Sequence, residues 1–200
     1  MTVAVAAKRA LTRADILDLA AYEAIRAERR RALVATKRLR RIAVGPDATF
    51  HFECYETMWM QIHEMLRIEK GGEAQIEDEL RAYAPLIPDG RELVATIMFE
   101  IDDPDRRARV LGALGGVEDT FLIQVGGETV AGRPESDVER TNAAGKASSV
   151  QFIHFPFTPA QIAAFRAPEA RVLVGSSHPN YGHLAVLPET TRTALAGDFD

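Results

Sequence analysis

The chain has 200 residues, 46% of them hydrophobic and 26% charged, with a formal net charge of −5. That length supports one sizeable core, the composition is ordinary for a globular protein, and no apolar run approaches the ~20 residues that cross a bilayer. A single cysteine excludes an internal disulfide framework and a four-thiolate iron–sulfur cluster, and it fits a reducing cytoplasm. The charge is uneven, since residues 1–41 hold eleven Lys and Arg against four Asp and Glu while the remainder carries −12. A basic front could take phosphate or nucleic acid, or it could dock on acidic surface of this chain or of a second copy. Net acidity favours the second use, so a homo-oligomer is expected and nucleic acid is not.

Residues 1–10 read as a flexible tail, with the apolar patch ahead of its charges rather than behind them as in a secretory signal. Leu11–Ala20 reads as a short helix with Thr12 as N-cap and Asp15 three residues on. Tyr22–Arg41 reads as a longer one, placing Arg26, Arg29, Arg30, Lys37, Arg40 and Arg41 on one arc. Ile42–Val44 and Thr49–Cys54 form a hairpin about Gly45-Pro46-Asp47 that feeds a helix running to Lys70. In that helix Tyr55, Met58, Trp59, Ile62, Met65 and Leu66 gather on one side, while Glu56, His63, Glu64 and Arg67 gather on another.

Gly71-Gly72 stops the helix, and Glu73–Tyr83 is a further, acidic one. Leu93–Ile101 alternates as a strand, with Leu93, Ala95, Ile97, Phe99 and Ile101 on one face and Thr96, Met98 and Glu100 on the other. Asp103-Pro104 starts a helix to Leu114, and Thr120–Val125 is a strand. The stretch 126–148 has no period of either kind and reads as a mobile loop or a long hairpin connection. Val150–Phe157 is apolar on both faces, as a mid-sheet strand is. Thr158-Pro159 caps a helix to Arg166, two strands flank Ser177–Asn180, a short helix spans Thr190–Ala196, and Gly197–Asp200 is expected to fray. The chain is therefore α+β: 11–200 form a single domain, with a mainly antiparallel mixed sheet, helices on one face and an N-terminal helical arm.

Chemistry-bearing motifs are sparse. His63-Glu64 begins a zinc-helix pattern, but position 67 is Arg, so the second imidazole one turn on is missing. No glycine pair has the context of a phosphate loop, and nothing marks a haem, flavin or iron–sulfur site. Cys54 lies beside Glu53 and Glu56, whose charges oppose a thiolate. His154 alternates with Val150 and Phe152 and is expected as a core imidazole with a satisfied hydrogen bond. The densest cluster is His178, Tyr181 and His183 around a tight connection, which reads either as a structured turn or as a ligand or divalent-metal site. Glu64 and Arg67 would complete that site if their helix crosses the same end of the sheet. Arg26, Arg30, Lys37, Arg40 and Arg41 are the corresponding polyanion candidates.

The succession YEAIRAERR, KRLRRIAVGP and FECYETMWMQIHEMLRIEK resembles the opening of a bacterial family, the domain of unknown function numbered 3501. APLIP, ELVATIMFEI, SSVQFIHFPFTPAQIAAFR and SHPNYGHLAVL continue the resemblance in the same order, from about Leu11 to the C-terminus. Cys54 and His63 depart from that family's pattern. The resemblance implies a redox or oxidative-stress setting, with rubrerythrin-like and iron–sulfur proteins as partners, and it carries over no active site. Together these readings lead to an accessory or ligand-binding protein of the cytoplasm that leaves redox chemistry to its partners. The alternatives are a metal-dependent enzyme built on the C-terminal His/Tyr cluster and a phosphate or nucleic-acid binder acting through helix 22–41.

Overall fold

A computed structural model of the chain describes residues 8–135, 141–142 and 145–200. Residues 1–7 of the expected tail, and part of the expected loop at 126–148, lie outside the described residues. The α+β class holds, with the strands divided between two antiparallel sheets. The first has the order β1 (Arg41–Val44), β2 (Ala48–Phe52), β3 (Glu92–Phe99), β7 (Val150–Pro156), β6 (Arg133–Pro134). The second has the order β5 (Glu128–Ala131), β4 (Phe121–Val125), β8 (Val172–His178), β9 (Tyr181–Val186).

Alternation explains why the sheets face one another. Phe50, Phe52, Leu93, Ile97, Ile153 and Phe155 from the first sheet share one core with Phe121, Ile123, Val172 and Val174 from the second. Phe50 meets Phe121 edge-to-face across it, with ring centroids 5.6 Å apart. One polar group intrudes: Gln151 is fully buried, its amide donates to the Ser148 carbonyl at 3.0 Å, and its Oε1 has no partner among the described residues. Two helices cover the opposite face of the first sheet. Helix α2 (Tyr55–Glu69) and the turn after α3 (Gly72–Tyr83) bring Met58, Ile62 and Leu86 onto Val94 and Phe152. Helix α1 (Leu19–Leu39) packs in turn on α2, so the Met/Trp face of α2 is covered within the chain by Tyr22 and Leu33. Helices α4 (Pro104–Gly112), α5 (Pro159–Arg166) and α6 (Glu189–Ala196) join the strands, and α5 and α6 supply Phe165 and Leu195 to the inter-sheet core.

Three segments depart from the sequence reading. Leu11–Ala20 is not a helix: Thr12 and Asp15 close a single 3₁₀ turn at Arg13–Asp15, and α1 starts only at Leu19 under an Asp18 cap. Side chains of α2 hold the intervening backbone, because Trp59 Nε1 donates to the Asp15 carbonyl at 2.9 Å and the Leu17 amide donates to His63 Nε2 at 3.0 Å. Backbone groups spent that way cannot join a helical ladder. Within 126–148, strands β4 and β5 form a tight hairpin through Gly126 and Gly127, both at positive φ, as a two-residue primed turn requires. The C-terminus does not fray. Arg166 donates to the carbonyls of Phe199 and Asp200, each at 2.7 Å, and Phe199 packs against Phe157 and Phe165.

Candidate functional site

Register in the first sheet builds a row of unlike groups on its helix-covered face. Arg41 pairs with His51, His51 with Thr96, and Thr96 with Phe152, so cation, imidazole, hydroxyl and phenyl follow one another across four strands. Strands ~4.8 Å apart put the ends of this row ~14 Å from each other. Val150 and Met98 lie in the next row, and Glu53 follows two residues after His51 on the same face. Helices α1, α2 and α3 do not seal this part of the sheet. A cavity of about 350 Å³ remains, with Lys37, Thr57, Met58, Gln61 and Tyr83 among its walls. That size lies within the range of small-molecule pockets.

The polar groups of the cavity are fixed from behind. Glu53 is buried and its carboxylate accepts from Thr96 Oγ1 at 2.6 Å. Arg40 donates to the carbonyls of Phe52 at 3.0 Å and Glu53 at 2.8 Å, and it forms an ion pair with Asp198 in which both side chains are buried. The end of β2 is therefore clamped from the C-terminal tail. His51 is held neutral, its pKa lowered first by burial, and its Nε2 has no partner among the described residues. Lys37 and Arg41 are exposed at the rim and form no ion pair among the described residues. The cleft thus offers two free cations at one end, apolar walls from Met58, Met98 and Phe152, and a buried carboxylate with a hydroxyl at its floor.

The sites expected from sequence fall elsewhere. Tyr181 is buried, donates its phenol to the Val44 carbonyl at 2.8 Å and accepts the amides of Asp47 at 2.9 Å and Ala48 at 2.7 Å. It fastens the β1–β2 turn of one sheet to the first residue of β9 in the other. His178 is also buried; its Nδ1 accepts from the Asn180 amide at 3.2 Å and its Nε2 donates to the Gly115 carbonyl at 3.3 Å. His183 is exposed with its ring against Tyr181. Glu64 and Arg67 do not join these three, because they lie in the helical layer across the first sheet. Glu64 accepts both nitrogens of Arg26, at 2.7 and 2.8 Å, and the Tyr22 hydroxyl at 2.5 Å, and Arg67 pairs with Glu23. The Arg26 guanidinium in particular holds Glu64 down at about 2. No group of three or more His, Cys, Asp or Glu among the described residues could hold a metal ion.

Of the polyanion candidates, Arg26 and Arg40 are spent on internal partners, whereas Arg30, Lys37 and Arg41 stay exposed. Cys54 is buried and its thiol is pushed up to about 11, first by burial. His154 keeps the expected hydrogen bonds but lies on the outer face of the first sheet rather than in the core. It bridges Glu92 at 3.0 Å and Glu135 at 2.7 Å. His63 is buried, donates from Nδ1 to the Trp59 carbonyl at 2.7 Å and stacks between Tyr22 and Trp59. No helix of the described residues is long and apolar enough to cross a membrane.

The groups that line the cleft were visible in sequence only as the outward parity of two strands. His51 and Glu53 alternate with Phe50 and Phe52, and Thr96 and Met98 alternate with Ala95, Ile97 and Phe99. Which strands pair, and in what register, is a tertiary fact that parity alone does not carry.

None of the curated proteins compared with the chain matches it. Among solved structures, a novel protein of unknown function from Burkholderia pseudomallei is similar, with 36% sequence identity and a TM-score of 0.87. The match covers 96% of this chain and 100% of that one. The family model for the protein of unknown function DUF3501 matches residues 10–199, nearly the whole fold just described. The chain belongs to the DUF3501 family.

Proposed function

We propose that this chain is a binding protein for a small organic anion, seated in the cleft between the first sheet and helices α1–α3. One observation carries the reading: the row Arg41–His51–Thr96–Phe152 runs beneath a cavity whose rim cations have no partner among the described residues. Convergent polar groups at one end and apolar walls at the other orient a ligand that is charged at one end only. The family resemblance supplies the setting, an accessory role in a redox or oxidative-stress pathway. The buried Cys54, with its raised pKa, fits a protein that leaves electron transfer to its partners.

The test uses anilinonaphthalene sulfonate, an aromatic anion whose fluorescence rises on entering an apolar site. It should bind saturably at one site per chain. Arg41→Ala should weaken it about tenfold, the equivalent of ~1.4 kcal/mol, because a charge-assisted contact is lost. Arg31→Ala, on the same helical layer but away from the cleft, should leave it unchanged. Equal weakening by both, or no saturable binding, refutes the reading.

A further inference from the structure

We propose that the outer face of the second sheet takes a second copy of this chain, making a two-fold dimer joined through β8 and β9. The inference is independent of the cleft, which lies on the far side of the first sheet.

Alternation leaves one side of the second sheet without a covering layer. Phe121, Ile123, Val172, Val174, Tyr181 and Ala185 pack into the inter-sheet core. Leu122, Leu173, Leu184 and Val186, of the opposite parity, therefore point away from it. None of these four joins a hydrophobic cluster among the described residues, and Leu184 and Val186 are 50% and 52% exposed.

Register sets the face out in rows. Thr129, Gln124, Leu173 and Val186 follow one another across four strands, and Ala131, Leu122, Gly175 and Leu184 form the next row. Ser177 and Gly182 make a third. No Asp, Glu, Lys or Arg stands in any row, in a chain of which 26% is charged. The equivalent face of the first sheet lies under α2 and the turn after α3. Contiguous apolar surface of this kind is rarely left open on a monomer beyond a few hundred Å².

The relief of the face fits a copy of itself. Leu173 and Val186 make a ridge at one end of β8 and β9. Ser177 and Gly182 make a hollow at the other end, where a Cβ on Gly182 would meet nothing closer than 3.6 Å. Leu184 lies between them and folds over Gly175, where an added Cβ would come 2.9 Å from Leu184 Cδ2. A two-fold axis in the plane of contact, along the row of Leu184, reverses the strands and keeps β9 over β9. It seats the ridge of each copy in the hollow of the other and sets Leu184 against the partner's Leu184. Ridge and hollow on one patch are what an isologous contact requires, whereas a lipid surface would leave the hollow unfilled. Two chains of net charge −5 repel, and this face adds none of that charge where they would touch.

Four strands about 4.8 Å apart and five residues about 3.4 Å apart make a face of roughly 300 Å² in projection. With side-chain relief, two such faces approach ~1,000 Å², the lower bound of specific interfaces, so the dimer should be micromolar rather than nanomolar.

The experiment is sedimentation equilibrium of the full chain across the micromolar range, with circular dichroism to check folding. The parent should pass from monomer to dimer with rising concentration. Leu184→Glu buries an unpaired charge on the axis and should weaken association about a hundredfold or more, with a melting temperature near the parent's. Gly182→Leu fills the hollow and should weaken it about tenfold or more, although the monomer has room for the side chain. Val34→Glu, at an exposed apolar position on α1, should leave the dimer intact. A parent that stays monomeric throughout overturns the proposal, and co-sedimentation of that monomer with phosphatidylcholine vesicles would give the face to lipid instead. A dimer that Leu184→Glu weakens no more than Val34→Glu does, or one unaffected by Gly182→Leu, also overturns it.

Discussion

The Arg40–Asp198 pair gives the most direct test of how the tail supports the cleft. The side chains are 8% and 9% exposed, so the pair is shielded from solvent, and Arg40 also donates to the carbonyls of Phe52 and Glu53. Asp198→Ala removes the only carboxylate paired with that guanidinium among the described residues and leaves a buried cation. Loss of one partner of such a pair costs about 3–5 kcal/mol. Unfolding entropy near 2.1 cal/mol/K per residue gives about 0.4 kcal/mol/K for this chain, so the melting temperature should fall by about 7–12 °C. Arg40→Met combined with Asp198→Ala removes both charges and should recover part of the loss. It should not recover all, because two strand-end carbonyls then lose their donor at about 1–3 kcal/mol each if left unpaired. Thermal unfolding by circular dichroism, with urea titration to check the slope, reads all three proteins. A single variant that melts within about 2 °C of the parent would refute the account, as would a double variant less stable than the single.

Glu64 is held at about 2, chiefly by Arg26, against 4.5 for a free glutamate, so its stabilisation is present above 4.5 and lost as pH falls toward 2. Urea midpoints for Glu64→Gln should accordingly change less than the parent's across that window, and parallel profiles would count against the pair. His154 titrates in the other direction: burial opposes its charge, but hydrogen bonds to Glu92 and Glu135 outweigh it and raise the pKa above 6.5. Its stabilisation is complete below 6.5 and lost as pH rises through the folded-state value, which imidazole proton shifts, assigned to His154 by their loss in His154→Gln, should locate above 6.5; a midpoint below 6.5 refutes it. A Cβ at Gly175 would lie 2.0 Å from the His183 carbonyl of the neighbouring strand, whereas one at Gly182 would meet nothing closer than 3.6 Å. Gly175→Ala should therefore cost about 2 kcal/mol or more, as overpacking does, and Gly182→Ala should be tolerated in the same denaturation assay.

Elements that carry their own signal were legible in the sequence. Thr158-Pro159 and Asp103-Pro104 start helices where their caps stand, with the Thr158 side chain accepting from Gln161 and that of Asp103 from Arg106. The alternation of Leu93, Ala95, Ile97 and Phe99 gives β3 and its face toward the inter-sheet core, while Val94 is buried on the other face under the helices. Illegible parts depended on partners far along the chain. Leu11–Ala20 has helical spacing, yet Trp59 and His63 take its backbone groups. Phe199 looks like a lone aromatic in a polar tail until Phe157 and Phe165 close around it. Arg40 shares an arc with exposed arginines on a continuous helical wheel, but α1 ends at Leu39, so the wheel no longer describes position 40 and its side chain turns inward.

The same dependence explains why the histidine cluster drew attention and the cleft did not. His178, Tyr181 and His183 lie within six residues, so proximity in sequence suggested a site. In the fold that proximity serves a join between sheets, and Tyr181 has spent its hydroxyl on one carbonyl and two amides. A phenol so occupied cannot also turn to a ligand without giving up buried hydrogen bonds, each costly to leave unmade. The cleft reverses both terms. Lys37, Arg41, His51, Glu53, Thr96 and Phe152 come from α1 and from four strands of one sheet, and at its rim the cations remain unpaired among the described residues. Groups gathered from distant segments and left with unused hydrogen-bonding or charge capacity are the ones a ligand can stabilise. On that criterion the proposed ligand site is the cleft and not the turn at 178–183.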